Sequence, residues 1–237
     1  MKKQRFFIIG WISLLVIVIT MLIFPIGIGI LRLGIIFGFI LLWSIGIGLF
    51  WEKIYLRVIF LSIAMLVAII TIIPGHNANP KQLQEEYIHS LLGYENVRYI
   101  WGGENKLGID CSGLVREGFV SANIKVGIKT LNPRLIRRAF FVWWYDCSAD
   151  ALGKNYKEMT TLVLKANSMD ELDYSNIKPG DIIVAAKGFH TFAYIGDKVW
   201  LEANPDNGKT LKKSSEVKAK EWKGVPLKIV LWSELNN

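Results

Sequence analysis

The sequence predicts an α+β domain carried behind a membrane region of three spanning helices. Three observations predict it. Residues 6–73 are almost entirely apolar, whereas from about residue 76 the chain has the mixed composition of a water-facing domain. In that second part helical stripes come first, and short strand-like runs follow one another near the end, the order expected of helices packed on an antiparallel sheet. Its roughly 160 residues suffice to bury one core without staples. The expected division is a membrane region over residues 1–75 and a second domain over 76–237.

The membrane region contains apolar runs at about 6–24, 33–50 and 58–73, each near the ~20 residues that cross a hydrocarbon layer. The first run is too long for a signal peptide, and no small-residue cleavage site follows it. Lys2, Lys3 and Arg5 precede the first run, and Lys53 and Arg57 follow the second, while only Arg32 lies between the first two. By the positive-inside tendency the N-terminus and the second connection are cytoplasmic, and three spans deliver the following domain to the outer face. A re-entrant hairpin around Ile26–Ile30 would reverse that parity. Trp11, Trp43 and Trp51 suit membrane–water interfaces.

Charge divides in the same way. The first 75 residues hold six Lys and Arg against Glu52, a net of +5, which leaves +3 of the total +8 for the rest. No basic stripe or nucleic-acid motif is present, so nucleic acid is excluded as a partner. No Cys, His and acidic residues have metal-ligand spacing, and no phosphate loop occurs, so neither metal nor cofactor is expected.

Asn79-Pro80 has helix-start character, and Lys81–Leu92 carries a helical stripe. A Gly-rich loop follows, and Cys111–Ala122 reads as a helix. Residues 123–178 form a mixed region of helices that includes Pro133–Tyr145. After the Lys178-Pro179-Gly180 turn come four strands, Asp181–Ala186, His190–Ile195, Val199–Asn204 and Pro226–Trp232. The lysines between 209 and 223 read as a solvated face. Of Trp143 and Trp144, one is expected in the core and the other at a cleft or interface.

Only two cysteines occur, Cys111 and Cys147, too few for a disulfide framework. Cys111 stands where a nucleophile is activated: a helix N-terminus favours the thiolate, Asp110 suits the N-cap, and the N–H groups of that turn can form an oxyanion hole. Cys147 has no such setting and reads as core. Of the three histidines, His190 opens a strand and is the best base by position and element type. The base needs an orienting partner, and Glu202 and Asn204 lie two apart on one face of the next strand. A two-residue turn at Gly196-Asp197 would set Ala203 opposite His190. A three-residue connection or a bulge brings Glu202 or Asn204 opposite.

These residues resemble a known family. Tyr99-Ile100-Trp101-Gly102-Gly103, four residues, then Gly108-Ile109-Asp110-Cys111-Ser112-Gly113-Leu114-Val115 is similar to the nucleophile motif of the NlpC family of papain-like cysteine peptidases, mostly cell-wall hydrolases. Lys178-Pro179-Gly180-Asp181, with His190, Tyr194 and Gly196, resembles that family's histidine segment. The resemblance spans roughly residues 80–235. It implies a papain-like fold with Cys111 as nucleophile and His190 as base. It also implies action on peptidoglycan stem peptides beside a D-glutamyl residue, at the outer face of a bacterial membrane. Tyr99, Asp110 and Ser112, with Trp101 of the same loop, are then substrate-side residues.

Two departures stand out. The family's third polar residue is most often histidine, whereas Glu202 stands here, and a Glu-x-Asn arrangement looks more like the related CHAP enzymes. The interval from Cys111 to His190 is also long, with the excess around residues 132–164, where the text RRAFFVWWYD could roof the cleft. Two alternatives stay open. One is a same-fold amidase or acyl-transfer enzyme acting on a lipid or lipoprotein. The other is a non-catalytic module that binds wall peptides.

Overall fold

The computed structural model describes residues 2–236. Three long helices come first: α1 (Lys2–Ile23), α2 (Gly29–Leu49) and α3 (Ile54–Ile72). Each contains a stretch long and apolar enough to cross a membrane, as the three hydrophobic runs predict. Each begins several residues earlier than its apolar run, because flanking charged and glycine residues continue the helix. The residues between α1 and α2 make a short connection that bridges to Gly103 through Ile26. Trp11 and Trp43 do not serve as free interface anchors. Their indole N–H groups donate to Leu42 O (2.8 Å) and Phe60 O (2.9 Å), which ties the helices together.

The α+β part follows. Asn79 caps α4 (Pro80–Leu92) by accepting from the N–H groups of Lys81 and Gln82, and Pro80 takes the first helical position. A small hairpin, β1 (Glu104–Asn105) with β2 (Gly108–Ile109), leads into α5 (Cys111–Lys129), then α6 (Pro133–Tyr145) and the short α7 (Ala149–Gly153). Among the described residues, β3 (Thr160–Ala166), β4 (Ile182–Ala185), β5 (His190–Gly196), β6 (Val199–Asn204), β7 (Lys209–Ser214) and β8 (Leu227–Trp232) build one antiparallel sheet. Its order is β3-β8-β4-β5-β6-β7, and α8 (Ser215–Glu221) lies between β7 and β8 in the chain.

The four expected strands are present. Both edge strands, β3 and β7, escaped the sequence reading. β7 is rich in lysine, which is how exposed sheet edges are kept from pairing with other chains, and which made it look like a solvated loop. The helix Cys111–Ala122 runs on to Lys129, since Val126 and Gly127 are still buried against α6.

The sheet divides the core. On one face Leu83, Tyr87 and Leu91 of α4 and Leu114 and Phe119 of α5 pack against Ile182, Ala193, Leu201 and Trp232. Phe119 stacks on Trp232 at 4.3 Å, with Tyr87 edge-on to both rings. On the other face Phe192, Tyr194 and Trp200 meet Trp222.

The α+β part is bonded closely to the spanning helices. Gly27 N–H donates to Gly102 O (2.9 Å), Glu104 N–H to Pro25 O (2.8 Å), and the Asn105 side chain to Ile23 O and Phe24 O. The buried Arg32 of α2 pairs with Glu104 and with Asp146 (2.8 Å), and the buried Arg116 of α5 pairs with the same two carboxylates. The extra segment after residue 132 joins in: Arg137 of α6 donates to Ile70 O in the last turn of α3 and to the carbonyls just past it, at Ile73 (2.6 Å) and Pro74 (2.5 Å). Removing one carboxylate from this network leaves two buried guanidinium groups sharing Asp146 alone, with charge uncompensated in low dielectric. Glu104→Gln is therefore expected to destabilise the protein by about 3 kcal/mol, read as a lower midpoint of unfolding in detergent, whereas Glu95→Gln, at an exposed pair with Lys212, should leave the midpoint nearly unchanged.

Candidate active site

Cys111 is the first residue of α5, and the local sequence explains why the helix starts there. Asp110 has an extended backbone, and its Oδ1 accepts from Gly113 N–H (2.6 Å) and Ser112 Oγ–H (3.0 Å), while Oδ2 accepts from Gly102 N–H (2.9 Å). One carboxylate thus caps the helix and holds the loop in front of it. A Cβ at position 113 would collide with Gly103 O, so that position has to be glycine for the loop to close on the helix. The capped turn directs the N–H groups of Cys111 and Ser112 at the thiol.

Cys111 sits almost out of solvent against the start of β5, and the N–H of Thr191 is directed at its sulfur. Burial, with the nearby Asp110 charge, pushes the thiol up to about 11 despite those three N–H groups. The cap therefore opposes the effect expected of a helix N-terminus, because the carboxylate that satisfies the helix dipole also repels a thiolate. Tyr99 lies beside this pair. Burial, then the charges of Cys111 and Asp110, pushes its phenol up to about 12. Trp101 is largely exposed on the same loop, and Ser112 spends its hydroxyl on Asp110.

The register between β5 and β6 decides the surroundings of His190. The turn residues are Asp197 and Lys198, both left-handed (φ 51° and 57°), so Gly196 pairs with Val199 rather than Ile195 with Lys198. A bulge at Ile195 then shifts the pairing to Tyr194 with Trp200 and Ala193 with Leu201. Continued residue for residue, this register aligns His190 with Asn204 and puts Glu202 on the diagonal, on the same face. The diagonal partner makes the contact: His190 Nε2 is 3.3 Å from Glu202 Oε2. Asn204 acts one step back, its Nδ2 donating to Glu202 Oε1 (2.7 Å) and its Oδ1 accepting from Asn207 N–H (2.8 Å).

Three further residues complete the cluster, and none of them stands out as a site residue in the sequence. Lys213 lies 2.9 Å from Glu202 Oε1, and the fully buried Lys218 pairs with Oε2. The expected solvated lysine face therefore fails at two positions, because α8 folds back over β5 and β6 and delivers Lys218 to an anion. Trp222 stacks on the His190 ring, 5.6 Å between centroids with planes 6° apart. Burial alone would raise Glu202, but the His190 hydrogen bond and the charges of Lys218 and Lys213 hold it well below the usual carboxylate range. With Nε2–H given to Glu202, the lone pair of the neutral imidazole is on Nδ1. Among the described residues no hydrogen bond joins the imidazole to Cys111. The cysteine meets the backbone of the next residue instead.

The sequence profile of the NlpC/P60 family matches residues 96–229, which contain every residue of this cluster. The chain belongs to the NlpC/P60 family. The resemblance read from the Cys111 and His190 segments is thereby borne out, as is the α+β architecture. No curated protein matches the chain. Similar solved structures include the peptidoglycan hydrolase RipB from Mycobacterium tuberculosis (22% identity, TM-score 0.40, covering 64% of this chain and 66% of that one). Others are the P60 domain of an antigen from M. avium subspecies paratuberculosis (18%, 0.38, 63% and 96%) and NlpC1 from Trichomonas vaginalis (17%, 0.41, 63% and 43%).

Among the described residues no group of His, Cys, Asp and Glu is arranged to hold a metal ion. An open groove of about 840 Å³ runs beside β3, β8 and β4, lined by Asp150, Lys187 and Gly188 among others. Neither Cys111 nor His190 lines it, so it is separate from the cluster.

Two outcomes follow from these charges. With Cys147 replaced by Ala, alkylation of Cys111 by iodoacetamide should be slow at pH 7 and keep accelerating towards pH 11; a plateau by pH 8 would mean a preformed thiolate–imidazolium pair. Glu202 lies lower in the folded than in the unfolded protein, so its contribution to stability is complete above the ordinary carboxylate value of 4.5 and is lost as pH falls below it. Glu202→Gln should flatten that acid dependence in urea unfolding and cost about 3 kcal/mol at pH 7, since the buried Lys218 loses its close partner and keeps only Glu221 at 3.3 Å.

Proposed function

We propose that the chain is a membrane-anchored cysteine peptidase that hydrolyses amide bonds in peptidoglycan stem peptides, D,L-endopeptidase-like, at the outer face of a bacterial membrane. Residues up to about 75 form the anchor and 76–237 the peptidase domain. One observation carries the reading. A lone thiol at a capped helix N-terminus lies on the backbone next to a histidine whose outer nitrogen is fixed by a buried carboxylate.

In this mechanism the substrate carbonyl enters beside Cys111, and Nδ1 of His190 takes the thiol proton as sulfur attacks. Coupling attack to proton transfer suits a thiol pushed up to about 11, which is mostly protonated at neutral pH. Negative charge that develops on the carbonyl oxygen is met by N–H groups of the α5 turn. The imidazolium then gives its proton to the leaving amine as the C–N bond breaks. Water, deprotonated by the same imidazole, hydrolyses the thioester and restores the thiol. Glu202 acts through His190: it holds the Nε2–H tautomer and stabilises the imidazolium, while Asn204, Lys213 and Lys218 hold Glu202. Tyr99 and Trp101 border the entry, and Asp110 and Ser112 shape its floor.

The bonds between the α1–α2 turn and the Trp101–Asn105 loop favour a second reading, in which the same site works on a lipid-carried peptide. The full-length protein in detergent, incubated with purified peptidoglycan and separately with a lipid-linked precursor, distinguishes the two by which sample releases new amino termini. Cys111→Ala should abolish release, and His190→Ala should lower it by about 10²–10⁴-fold. Undiminished binding with no fragments from either protein would refute catalysis in favour of a binding module. A C-terminal tag found in the cytoplasm would refute the wall substrate.

A further inference from the structure

The spanning helices do not account for all the exposed apolar surface. Ile124 and Ile128 on the second half of α5, and Leu131 in the turn that follows it, are exposed, Leu131 at 87%. They flank Gly127, which lies against Ile136 of α6. One turn beyond Ile136, Phe140 is 53% exposed. Its ring stacks on Trp144 (6.3 Å, 16° between planes) and leans on Trp143 (5.7 Å). These residues form one apolar strip along two consecutive helices, flanked on α5 by the exposed Lys125 and Lys129, larger than the scattered apolar residues of an ordinary surface.

The strip runs straight into the membrane region. Trp143 lies 5.8 Å from the Arg32 guanidinium at the start of α2 and lines a crevice with Met21, Leu22 and Ile35. At the other end of α6, Arg137 reaches the carbonyls at the end of α3 and just past it. Helix α6 therefore lies across the ends of the spanning helices, with Leu135, Ala139 and Val142 turned to the core. Its opposite side carries Phe140 and Trp144, which would be level with the membrane boundary where α1–α3 span the bilayer. Trp and Phe beside arginine are the residues that settle at that depth.

We propose that the α5–α6 strip is a lipid-contacting surface: Ile128, Leu131 and Phe140 rest in the leaflet where α2 begins and α3 ends, so the domain lies flat on the bilayer. This rests on the reading that α1–α3 span the membrane. It goes further, because an anchored domain could equally stand clear of the lipid on a tether.

The test uses the full-length chain with Cys111→Ser and Cys147→Ala, reconstituted in phosphatidylglycerol–phosphatidylcholine vesicles, with one spin label at a time. The labels replace Ile128, Leu131 or Phe140 on the strip, Ile63 in the middle of α3, and Val217 on α8, which covers the other face of the sheet. All five positions are exposed. The expected result is that strip labels collide more with oxygen than with a water-soluble nickel chelate, as at Ile63, while Val217 shows the reverse. Strip labels that behave like Val217 while Ile63 stays lipid-like would overturn the proposal and leave the anchor intact. Strip labels shielded from both reagents would reveal a protein occupant, such as a second copy, and overturn it too. If Ile63 itself collides with the chelate, the spanning reading falls as well.

Discussion

The Asp110 carboxylate is the contact on which the rest converges. It closes the first turn of α5, fixes the hydroxyl of Ser112, and holds Gly102 of the loop in front of the thiol. Gly102 passes the connection on, since its carbonyl accepts from Gly27 in the turn between α1 and α2. Two hydrogen bonds thus separate the residue before the thiol from the membrane helices. The cost is electrostatic: a carboxylate placed to satisfy the helix start also works against the thiolate. In the proposed mechanism the cap organises the site and activation of sulfur falls to the imidazole.

A second buried carboxylate organises the other half. Glu202 is wholly inside the protein, and a lone anion there would be prohibitively costly. It is tolerated because His190, Asn204, Lys213 and Lys218 converge on its two oxygens. The lysines come from β7 and α8, so the sheet edge and the helix beyond it are part of what orients His190. Trp222 adds a flat wall behind the ring. The histidine is thereby held from one edge and one face.

Much of this was legible in the chain. The spans, the helix at Cys111, the strands that follow Lys178 and the pairing of a cysteine with a strand histidine all leave local marks: runs of apolar residues, a capping aspartate, glycines, a turn signal. The edge strands left none: β3 is held by β8, far away in sequence, and β7, although it forms a hairpin with β6, is rich in lysine and largely polar. Lys218 gave the same misleading signal. Nothing in a lysine-rich stretch says which amine will be buried, since that depends on where an anion 16 residues earlier points.

The sequence by itself determined the three long apolar helices and the α+β class, and singled out Cys111 and His190 as candidate nucleophile and base, because periodicity, capping and turn chemistry act over a few residues. Tertiary structure alone decided how they meet. A bulge at Ile195 sets the register that brings Glu202 diagonally to His190, and α8 supplies the cations that let it stay ionised. Bonds between residues 23–27 and 102–105 join the loop before Cys111 to the membrane helices. Each of these is a contact between segments remote in the chain, chosen by burial and charge balance once the whole fold is assembled. The stretch WGGENKLGIDCSGLV marks where the thiol will be. The folded chain settles what surrounds it.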